Sequence, residues 1–332
     1  IGMGRSFLAD PMWPKKAAEG READIRKCIS CLRCIDSIKA EQPICCSINP
    51  KCGKEMEDNT LTQDGDGRLC VVVGGGVAGM ECARILSLRG FRVCLYEKNK
   101  HLGGQVWLAG QAPNQGKMLW IVEYLAGQLK KQSVDICLEY DISPEEILRT
   151  QPYLVVDATG ASPYFPDTIE GIHSSLVTTP VEVLSGTCKL ENRSVVMLGT
   201  GLTALETAEY LMERGNLLTI IGQSDQIAPG GGSRVVVGEI LRRLQMQNAV
   251  VLTGRKTTKI GEDRIWYENV HTGEQYTLPC DKVVLCKGVR PNGGLGEALA
   301  GKHPNVKVIG DASKCSRILE AVRAGYLVGK EA

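Results

Sequence analysis

The chain has 332 residues, of which 43% are apolar and 23% charged, and its formal net charge is +1. This length is enough for about two to three domains, and the apolar fraction excludes a disordered chain. A net charge near zero gives no electrostatic sign of a nucleic-acid-binding protein. No apolar run reaches the ~20 residues that span a bilayer, and no signal peptide is recognisable. We therefore expect no nucleic-acid partner, no membrane partner and a cytoplasmic location.

The 14 cysteines are the most unusual feature of the composition. In a reducing cytosol, cysteines are expected as metal ligands or as small buried side chains rather than as disulfides. Eight of them are scattered singly through predicted strands and helices, whereas the other six lie between residues 28 and 52. Residues 28–52 are therefore the candidate metal-binding segment.

The chain begins with a segment, residues 1–27, that has turn signals at Asp10-Pro11 and Trp13-Pro14. This segment has too few apolar residues to close a core, so we interpret it as the tail of a larger domain. The cysteine-rich segment and a polar, turn-prone linker follow and extend to residue 64.

Two α/β units then follow each other along the chain. The first is predicted as strand 69–73, helix 80–88, strand 91–96, helix 117–131, and strands 134–138 and 153–156. The second is predicted as strand 194–198, helix 204–214, strand 217–221, helix 234–246, hairpin-like strands around 265–276 and strand 282–286. Strand 306–309 and a last helix that starts near residue 318 return to the first unit.

A dinucleotide fingerprint follows the first predicted strand. Gly74, Gly76 and Gly79 have the spacing G-x-G-x-x-G, and Glu97 ends the next strand. The first glycine permits a tight turn, the second lets a pyrophosphate approach the backbone, and the third allows close helix packing. The helix N-terminus supplies N–H groups and a positive dipole. Glu97 is the expected acceptor for the hydroxyls of the adenosine ribose.

A second fingerprint follows the strand at 194–198. Gly199, Gly201 and Ala204 repeat the spacing, but no acidic residue ends the following strand at Ile221. The spacing predicts a nicotinamide-nucleotide site, with the alternative of a vestigial fold that binds only ADP or nothing. No arginine follows Ile221 to hold a 2′-phosphate, which favours NADH over NADPH.

Strands that alternate with helices and two fingerprints together predict parallel, doubly wound sheets of the α/β class. We predict two nested Rossmann-like dinucleotide-binding domains. The first comprises residues 65–161 and 288–332, and the second comprises residues 162–287.

The clustered cysteines include Cys28, Cys31 and Cys34, and a fourth follows at Cys45 or Cys46. Three thiolates within seven residues can hold one face of a cubane iron–sulfur cluster, and a fourth from a separate turn closes it. Zinc sites more often use two separated C-x-x-C pairs, so zinc is the alternative. Spacing alone does not choose between Cys45 and Cys46. No C-x-x-C pair follows Cys34, which argues against a thiol–disulfide mechanism.

Several motifs resemble one family closely. Residues 4–11 resemble the end of the flavin-binding barrel of Old Yellow Enzyme-like NADH:flavin oxidoreductases. Residues 24–31 resemble the iron–sulfur segment of the long members, which include 2,4-dienoyl-CoA reductase, trimethylamine dehydrogenase, 2-enoate reductase and the bile-acid-inducible oxidoreductases. Their fourth ligand precedes a Val-Asn-Pro-like triplet, which is similar to residues 48–50 here. The resemblance thus implies Cys46 rather than Cys45 as the fourth ligand.

Further segments match this family in order along the chain. The resemblance implies FAD contacts at Gly103, Gly104 and Gln105 (a second phosphate turn), at Thr159 and Gly160, and at Asp311, which meets the flavin ribityl chain. Residues 288–292 resemble the return to the flavin domain. Gly4 and Arg5 match positions near the phosphate of FMN.

The resemblance implies an electron path from NAD(P)H to FAD, to a [4Fe–4S] cluster and to FMN, for reduction of an activated C=C bond in an enoate, enoyl-CoA or enone. In the family a (β/α)₈ barrel carries the FMN, the catalytic acid and the substrate pocket. We therefore expect an FMN-binding barrel, in the same full-length chain or a separate subunit, as a partner. A homo-oligomer is also compatible with the sequence. One alternative is an amine dehydrogenase with reversed electron flow and an ADP-only nucleotide site, and another is a zinc-stabilised scaffold without redox activity.

Overall fold

The computed structural model describes residues 2–56, 61–229 and 231–332. The first residue of the predicted barrel tail, residues 57–60 of the predicted linker and residue 230 lie outside this part. The chain divides into two compact units. The first contains residues 1–107, 117–162 and 290–332, and the second contains residues 108–116 and 163–289.

Both units contain helices and strands. In the described residues the helices are α1 (Arg5–Ala9), α2 (Trp13–Ala18), α3 (Arg33–Lys39), α4 (Val77–Leu88), α5 (Gly104–Ala109), α6 (Leu119–Lys131), α7 (Pro144–Arg149), α8 (Pro180–Leu184), α9 (Leu202–Met212), α10 (Arg234–Met246), α11 (Gly294–Leu299) and α12 (Ile318–Glu331). The strands are β1 (Leu69–Val73), β2 (Arg92–Glu97), β3 (Asp135–Leu138), β4 (Leu154–Asp157), β5 (Ala161–Pro163), β6 (Val177–Thr178), β7 (Ser194–Leu198), β8 (Leu217–Ile221), β9 (Val250–Leu252), β10 (Arg255–Ile260), β11 (Arg264–Asn269), β12 (Gln275–Pro279), β13 (Lys282–Leu285), β14 (Val289–Pro291) and β15 (Val306–Val308).

The first unit is built on a parallel sheet with the strand order β15-β4-β1-β2-β3. Successive side chains of β1 point to opposite faces, and both faces are buried. Cys70 and Val72 join the core that includes residues of α4, α6 and α12, whereas Val71 and Val73 join the core that includes residues of α7 and α11. This burial on both faces is typical of a doubly wound parallel sheet. The prediction of Rossmann-like parallel sheets is confirmed.

Two glycines allow the last helix of this unit to pack closely on α4. A Cβ atom on Gly325 would lie 2.2 Å from the carbonyl oxygen of Ala78, and one on Gly329 would lie 2.7 Å from Cβ of Ile85. Any larger side chain would push α12 away from α4. The C-terminal helix therefore packs closely against α4 in the first unit.

The second unit is built on another parallel sheet, with the order β6-β13-β7-β8-β9. Val195 and Met197 of β7 face a core shared with α8, α9 and α10. Val196 and Leu198 face a core that includes residues of an antiparallel sheet, β10-β11-β12. One face of this unit is thus covered by strands rather than helices. The sequence predicted hairpin-like strands around residues 265–276 but did not predict that they cover this face.

No helix in the described part of the chain combines the length and the apolar character needed to cross a bilayer.

Candidate functional site

In the first glycine turn, Gly74 and Gly79 are crowded by neighbouring backbone, whereas the space beside Gly76 is empty. Gly74 has φ +109°, and a Cβ atom there would lie 2.2 Å from the carbonyl oxygen of Ala158. A Cβ on Gly79 would lie 2.0 Å from the carbonyl oxygen of Gly74. By contrast, a Cβ on Gly76 would meet no atom within 4 Å, although Gly76 is the N-cap of the 12-residue helix α4. The backbone N–H groups at this helix end are therefore accessible to an anion.

Glu97 lies beside this turn with its carboxylate already fixed. It is buried, and its Oε2 accepts a hydrogen bond of 2.8 Å from the backbone N–H of Gly75. Its Oε1 accepts bonds from the backbone and side chain of Asn99, at 2.8 and 2.7 Å. Because a carboxylate has about four acceptor positions, at least one position remains for a ribose hydroxyl.

The structure brings the other predicted phosphate turn against the first. The N–H of Gly103 donates to the carbonyl of Gly75 at 2.8 Å. A Cβ on Gly104 (φ +52°) would lie 3.3 Å from Cα of Gly76. Gln105 follows with an exposed side chain. The two turns thus form one glycine-lined surface at the N-terminus of α4.

Asp157 organises the segment that contains Thr159 and Gly160. Its side chain is fully buried, and its Oδ1 accepts hydrogen bonds from the N–H and the hydroxyl of Thr159, at 3.0 and 2.6 Å. Its Oδ2 accepts a bond of 2.9 Å from the N–H of Gly296. Gly160 continues with φ +76°. A buried carboxylate therefore holds this turn at the end of β4, next to Gly74.

Asp311 lies in the single turn before α12 and is half-buried. Its Oδ1 accepts a hydrogen bond of 2.9 Å from the N–H of Ser316. Burial raises the pKa of Asp311, and this hydrogen bond partly opposes that effect. Within the described part of the chain, its Oδ2 accepts no hydrogen bond, so this oxygen is available to a ligand hydroxyl.

The second glycine turn repeats the geometry of the first. Gly199 has φ +134°, and a Cβ atom there would lie 2.2 Å from the carbonyl oxygen of Cys286. Gly201 is the N-cap of α9 and a Cβ there would meet nothing within 4 Å. Ala204 takes the position of the third glycine with its methyl group buried. The backbone is thus open at Gly201 in the same way as at Gly76.

The end of β8 shows a residue that the linear sequence did not reveal. The backbone N–H of Arg255 donates to the carbonyl of Gly222 at 2.8 Å, so an arginine lies beside the strand end that has no acidic residue. Its guanidinium donates to the carbonyl of Gly254 at 3.2 Å. Arg255 comes from a different strand, β10, and nothing in the residues after Ile221 signals it.

The predicted cluster ligands line one small cavity in the first unit. Cys28, Cys31, Cys34 and Cys46 all border it, together with Arg5. The described lining does not include Cys45. Among the described residues, no three Cys, His, Asp or Glu side chains are grouped as ligands of a single metal ion; the four thiols surround a shared space instead.

Two residues with positive φ wrap the chain around this cavity. Ser30 has φ +58° and Leu32 has φ +60°, a conformation that is uncommon for residues other than glycine. These two residues flank Cys31, and Leu32 is the N-cap of α3, which carries Cys34 in its first turn. Burial raises the pKa of Cys46 to about 11, and backbone N–H groups of Ile48 and Asn49 oppose that rise.

A buried charge network lies next to these cysteines and was not predicted. The guanidinium of Arg26 donates to the carbonyl of Ile48 at 2.6 Å and lies 3.7 Å from the carboxylate of Glu81. Glu81, on α4, is fully buried and accepts two bonds from Arg84, at 2.9 and 2.7 Å. The network joins Arg26, just before the cysteine segment, to Ile48 within that segment and to α4, and no sequence pattern connects residues so far apart.

Gly4 and Arg5 are both exposed, at the start of the five-residue helix α1. The structure brings Arg5 to the cysteine cavity.

The fold and the two glycine turns define a Rossmann-like α/β protein. The chain belongs to the pyridine nucleotide-disulphide oxidoreductase family, because the sequence model of that family matches residues 68–314. It is therefore an oxidoreductase by family, and this membership supports FAD and NAD(P)H as its cofactors.

The chain is also similar to longer reductases. It is 37% identical over 331 residues to bilirubin reductase of Mediterraneibacter gnavus, covering 98% of this chain and 50% of that protein. It is 36% identical over 342 residues to NADH oxidase of Thermoanaerobacter brockii, covering 99% and 51%. The solved structure of a 2-naphthoyl-CoA reductase complex aligns with a TM-score of 0.94 at 29% identity, covering 99% of this chain and 50% of that one. The resemblance to the long flavin oxidoreductases is confirmed, and the chain spans about half the length of these relatives.

Proposed function

We propose that this chain is the electron-input half of an NAD(P)H-dependent flavin and iron–sulfur oxidoreductase that reduces an activated C=C bond. FAD, a [4Fe–4S] cluster and FMN would carry the electrons, and the substrate would be an enoate, enoyl-CoA or enone. The cinnamate reductase of Clostridium sporogenes, bilirubin reductase and 2-naphthoyl-CoA reductase are named for unsaturated compounds, which supports this substrate class.

The observation that carries the proposal is the cavity bordered by Cys28, Cys31, Cys34 and Cys46. Four thiols around a shared space suit a cluster of several irons, whereas a zinc ion needs its sulfurs within ~2.3 Å of one point. The donor set is entirely sulfur, as iron–sulfur clusters require. This geometry favours Cys46 over Cys45 as the fourth ligand and a cluster over zinc.

The residues of the chain then have distinct tasks. Gly76 and the turn at Gly103 would admit the pyrophosphate of FAD to the N-terminus of α4, while Glu97 and Asp311 would accept hydrogen bonds from its hydroxyls. Gly201 would admit the pyrophosphate of NAD(P)H to α9. When bound, NAD(P)H would supply two electrons as one hydride, FAD could release them one at a time, and an iron–sulfur cluster would accept one.

We further propose that a barrel domain with FMN and the substrate pocket works with this chain. One support is that the chain covers about half the length of its named relatives. The other is that Gly4 and Arg5 resemble family positions near the phosphate of FMN. The domain boundaries are proposed as residues 1–27 for the end of this barrel, 28–64 for the cluster segment and linker, 65–161 with 288–332 for FAD, and 162–287 for NAD(P)H.

Composition and reduction of the anaerobically purified protein test the proposal. We expect iron and acid-labile sulfide at about four each per chain, one FAD, and rapid bleaching of the flavin absorbance by NADH. An iron-free protein that contains zinc would contradict the proposal and support a scaffold. Iron and flavin without bleaching by NADH or NADPH would instead support an amine dehydrogenase with reversed electron flow.

A further inference from the structure

Ser47 places a side-chain hydroxyl against one of the four cavity cysteines. Its Oγ lies 3.3 Å from Sγ of Cys31. Ser47 is 6% exposed, and this is the hydrogen bond found for its hydroxyl among the described residues.

The direction of this hydrogen bond depends on the state of Cys31. With a free thiol, the S–H group donates to the serine oxygen. A cysteine that binds iron does so as a thiolate and has no hydrogen to donate. The serine hydroxyl, which can both donate and accept, is then the group of this pair that carries a proton.

We propose that Ser47 donates a hydrogen bond to the iron-bound sulfur of Cys31 and thereby raises the reduction potential of the cluster. Reduction adds one negative charge to the cluster, much of it shared with the sulfurs. A donor aimed at a sulfur stabilises the reduced form more than the oxidised form, and such hydrogen bonds are among the factors that set cluster potentials. The inference rests on the proposed function, because it requires Cys31 to be a cluster ligand.

Ser47 acts through Cys31 and is therefore a positioning residue whose effect can be isolated by substitution. The groups that oppose the raised pKa of Cys46 are the backbone N–H groups of Ile48 and Asn49, and every residue type except proline supplies such a group. The bond to Cys31 comes from a side chain, so a substitution can remove it without changing the course of the backbone.

A matched control lies in the same segment. Ser37 is also buried, at 5% exposed, but its hydroxyl donates to the backbone carbonyl of Cys34 at 2.9 Å, not to a sulfur. Ser37→Ala therefore removes a buried hydroxyl from the same segment but removes no hydrogen bond to a cysteine sulfur.

The experiment is a redox titration of the anaerobically purified protein, followed by the EPR signal of the reduced cluster. We expect Ser47→Ala to make reduction of the cluster about tenfold less favourable, which corresponds to about 59 mV for one electron, with iron content unchanged. Ser37→Ala should leave the potential at the wild-type value. Ser47→Thr and Ser47→Val add the same volume and differ in the hydroxyl, so the Val variant should have the lower potential of the two.

Equal potentials for the Thr and Val variants, or an unchanged potential in Ser47→Ala with full iron content, would overturn the inference. If Ser47→Ala does not retain iron, the Thr and Val pair decides. A wild-type protein without iron and sulfide would instead refute the proposed function, so the two failures are distinguishable.

Discussion

At the scale of single residues, two adjacent cysteines of identical chemistry have different positions. Cys46 lines the cavity together with Cys28, Cys31 and Cys34, whereas Cys45 is not among the residues that line it in the described part of the chain. The sequence left this choice open on spacing alone, and the family resemblance favoured Cys46. Side-chain direction in an irregular segment depends on backbone angles that a cysteine pattern does not specify.

We predict that Cys46→Ser removes most of the iron and acid-labile sulfide while FAD stays bound, because serine is a poor replacement for a thiolate ligand. Cys45→Ser is the matched control and should retain both. Iron analysis and the flavin absorbance of each purified variant measure this. Loss of iron from Cys45→Ser with retention in Cys46→Ser would show that the ligand assignment is wrong.

The two open glycines allow a second prediction at this scale. A Cβ on Gly76 or Gly201 meets no protein atom within 4 Å, and neither has a positive φ. Gly76→Ala should therefore fold normally but weaken FAD binding about tenfold or more, because the methyl group occupies the approach to the helix N-terminus.

Gly201→Ala should weaken NADH binding to a similar degree and leave the FAD content unchanged. Equilibrium dialysis of FAD and titration with NADH measure the two effects separately. If both variants bind both nucleotides as the wild type does, the phosphates do not approach these turns.

At the scale of elements, α4 carries a buried acid between two arginines. Glu81 is fully buried and contacts Arg84 and Arg26, which lies just before the cysteine segment. The nearby arginines hold the pKa of Glu81 below its usual value despite burial. Since its folded pKa is lowered, this stabilisation is fully present above the unfolded pKa of about 4.5 and is lost as the pH falls from there through the lower folded pKa.

We predict that Glu81→Gln lowers the free energy of unfolding by about 3–5 kcal/mol at pH 7, because it leaves buried arginines without a counter-charge. Glu239→Gln, which breaks an exposed pair with Arg242 on α10, is the control and should have little effect. Urea unfolding of each variant measures the difference. Equal midpoints for the two variants would contradict the structural role of Glu81.

Helix α9 carries a second buried acid with the opposite behaviour. Burial, together with the charge of Glu209, raises the pKa of Glu206 to about 7. Between pH ~4.5 and 7 the folded protein holds a proton that the unfolded chain releases, so the contribution of Glu206 to stability falls as the pH rises.

Glu206→Gln should therefore raise the unfolding midpoint at pH 8 and change it little at pH 5. Unfolding in urea without coenzyme, at both pH values, measures this. A variant that is equally stable relative to wild type at both pH values would contradict the assignment.

The elements that the sequence predicted best are those with continuous apolar strands next to glycine turns. The predicted bounds of β1, β7 and β8 match the structure, as do those of α10. Helices α4 and α9 begin earlier than predicted, at Val77 and Leu202, because their N-caps are glycines that offer no side-chain capping signal.

Contacts between distant segments could not be predicted. The antiparallel sheet that covers one face of the second unit, the approach of Arg255 to Gly222 and the bond from Arg26 to Ile48 all depend on the folded chain. The glycines of the two fingerprints, Glu97 and the three cysteines from Cys28 to Cys34 carry local spacing signals. The predicted sites at residues 103–105, 159–160 and 311, and the choice of Cys46, came from the family resemblance instead.

At the scale of the whole molecule, the preference for NADH or NADPH depends on segments that lie far apart in the sequence. The absence of an acidic residue and of an arginine directly after Ile221 favoured NADH, whereas Arg255 lies beside that strand end in the folded chain. We predict faster flavin reduction by NADH than by NADPH in stopped-flow absorbance. A strong preference for NADPH that Arg255→Ala abolishes would reverse this prediction.

We propose that electrons from a nicotinamide coenzyme pass through this chain to a thiolate-bound iron–sulfur cluster. Rapid-freeze EPR of the anaerobic protein after mixing with NADH tests it most directly. We expect the signal of a reduced [4Fe–4S] cluster to develop after the flavin absorbance bleaches, and to be absent in Cys46→Ser. Flavin bleaching by NADH with no cluster signal at any time, in protein that contains its iron, would refute this electron path.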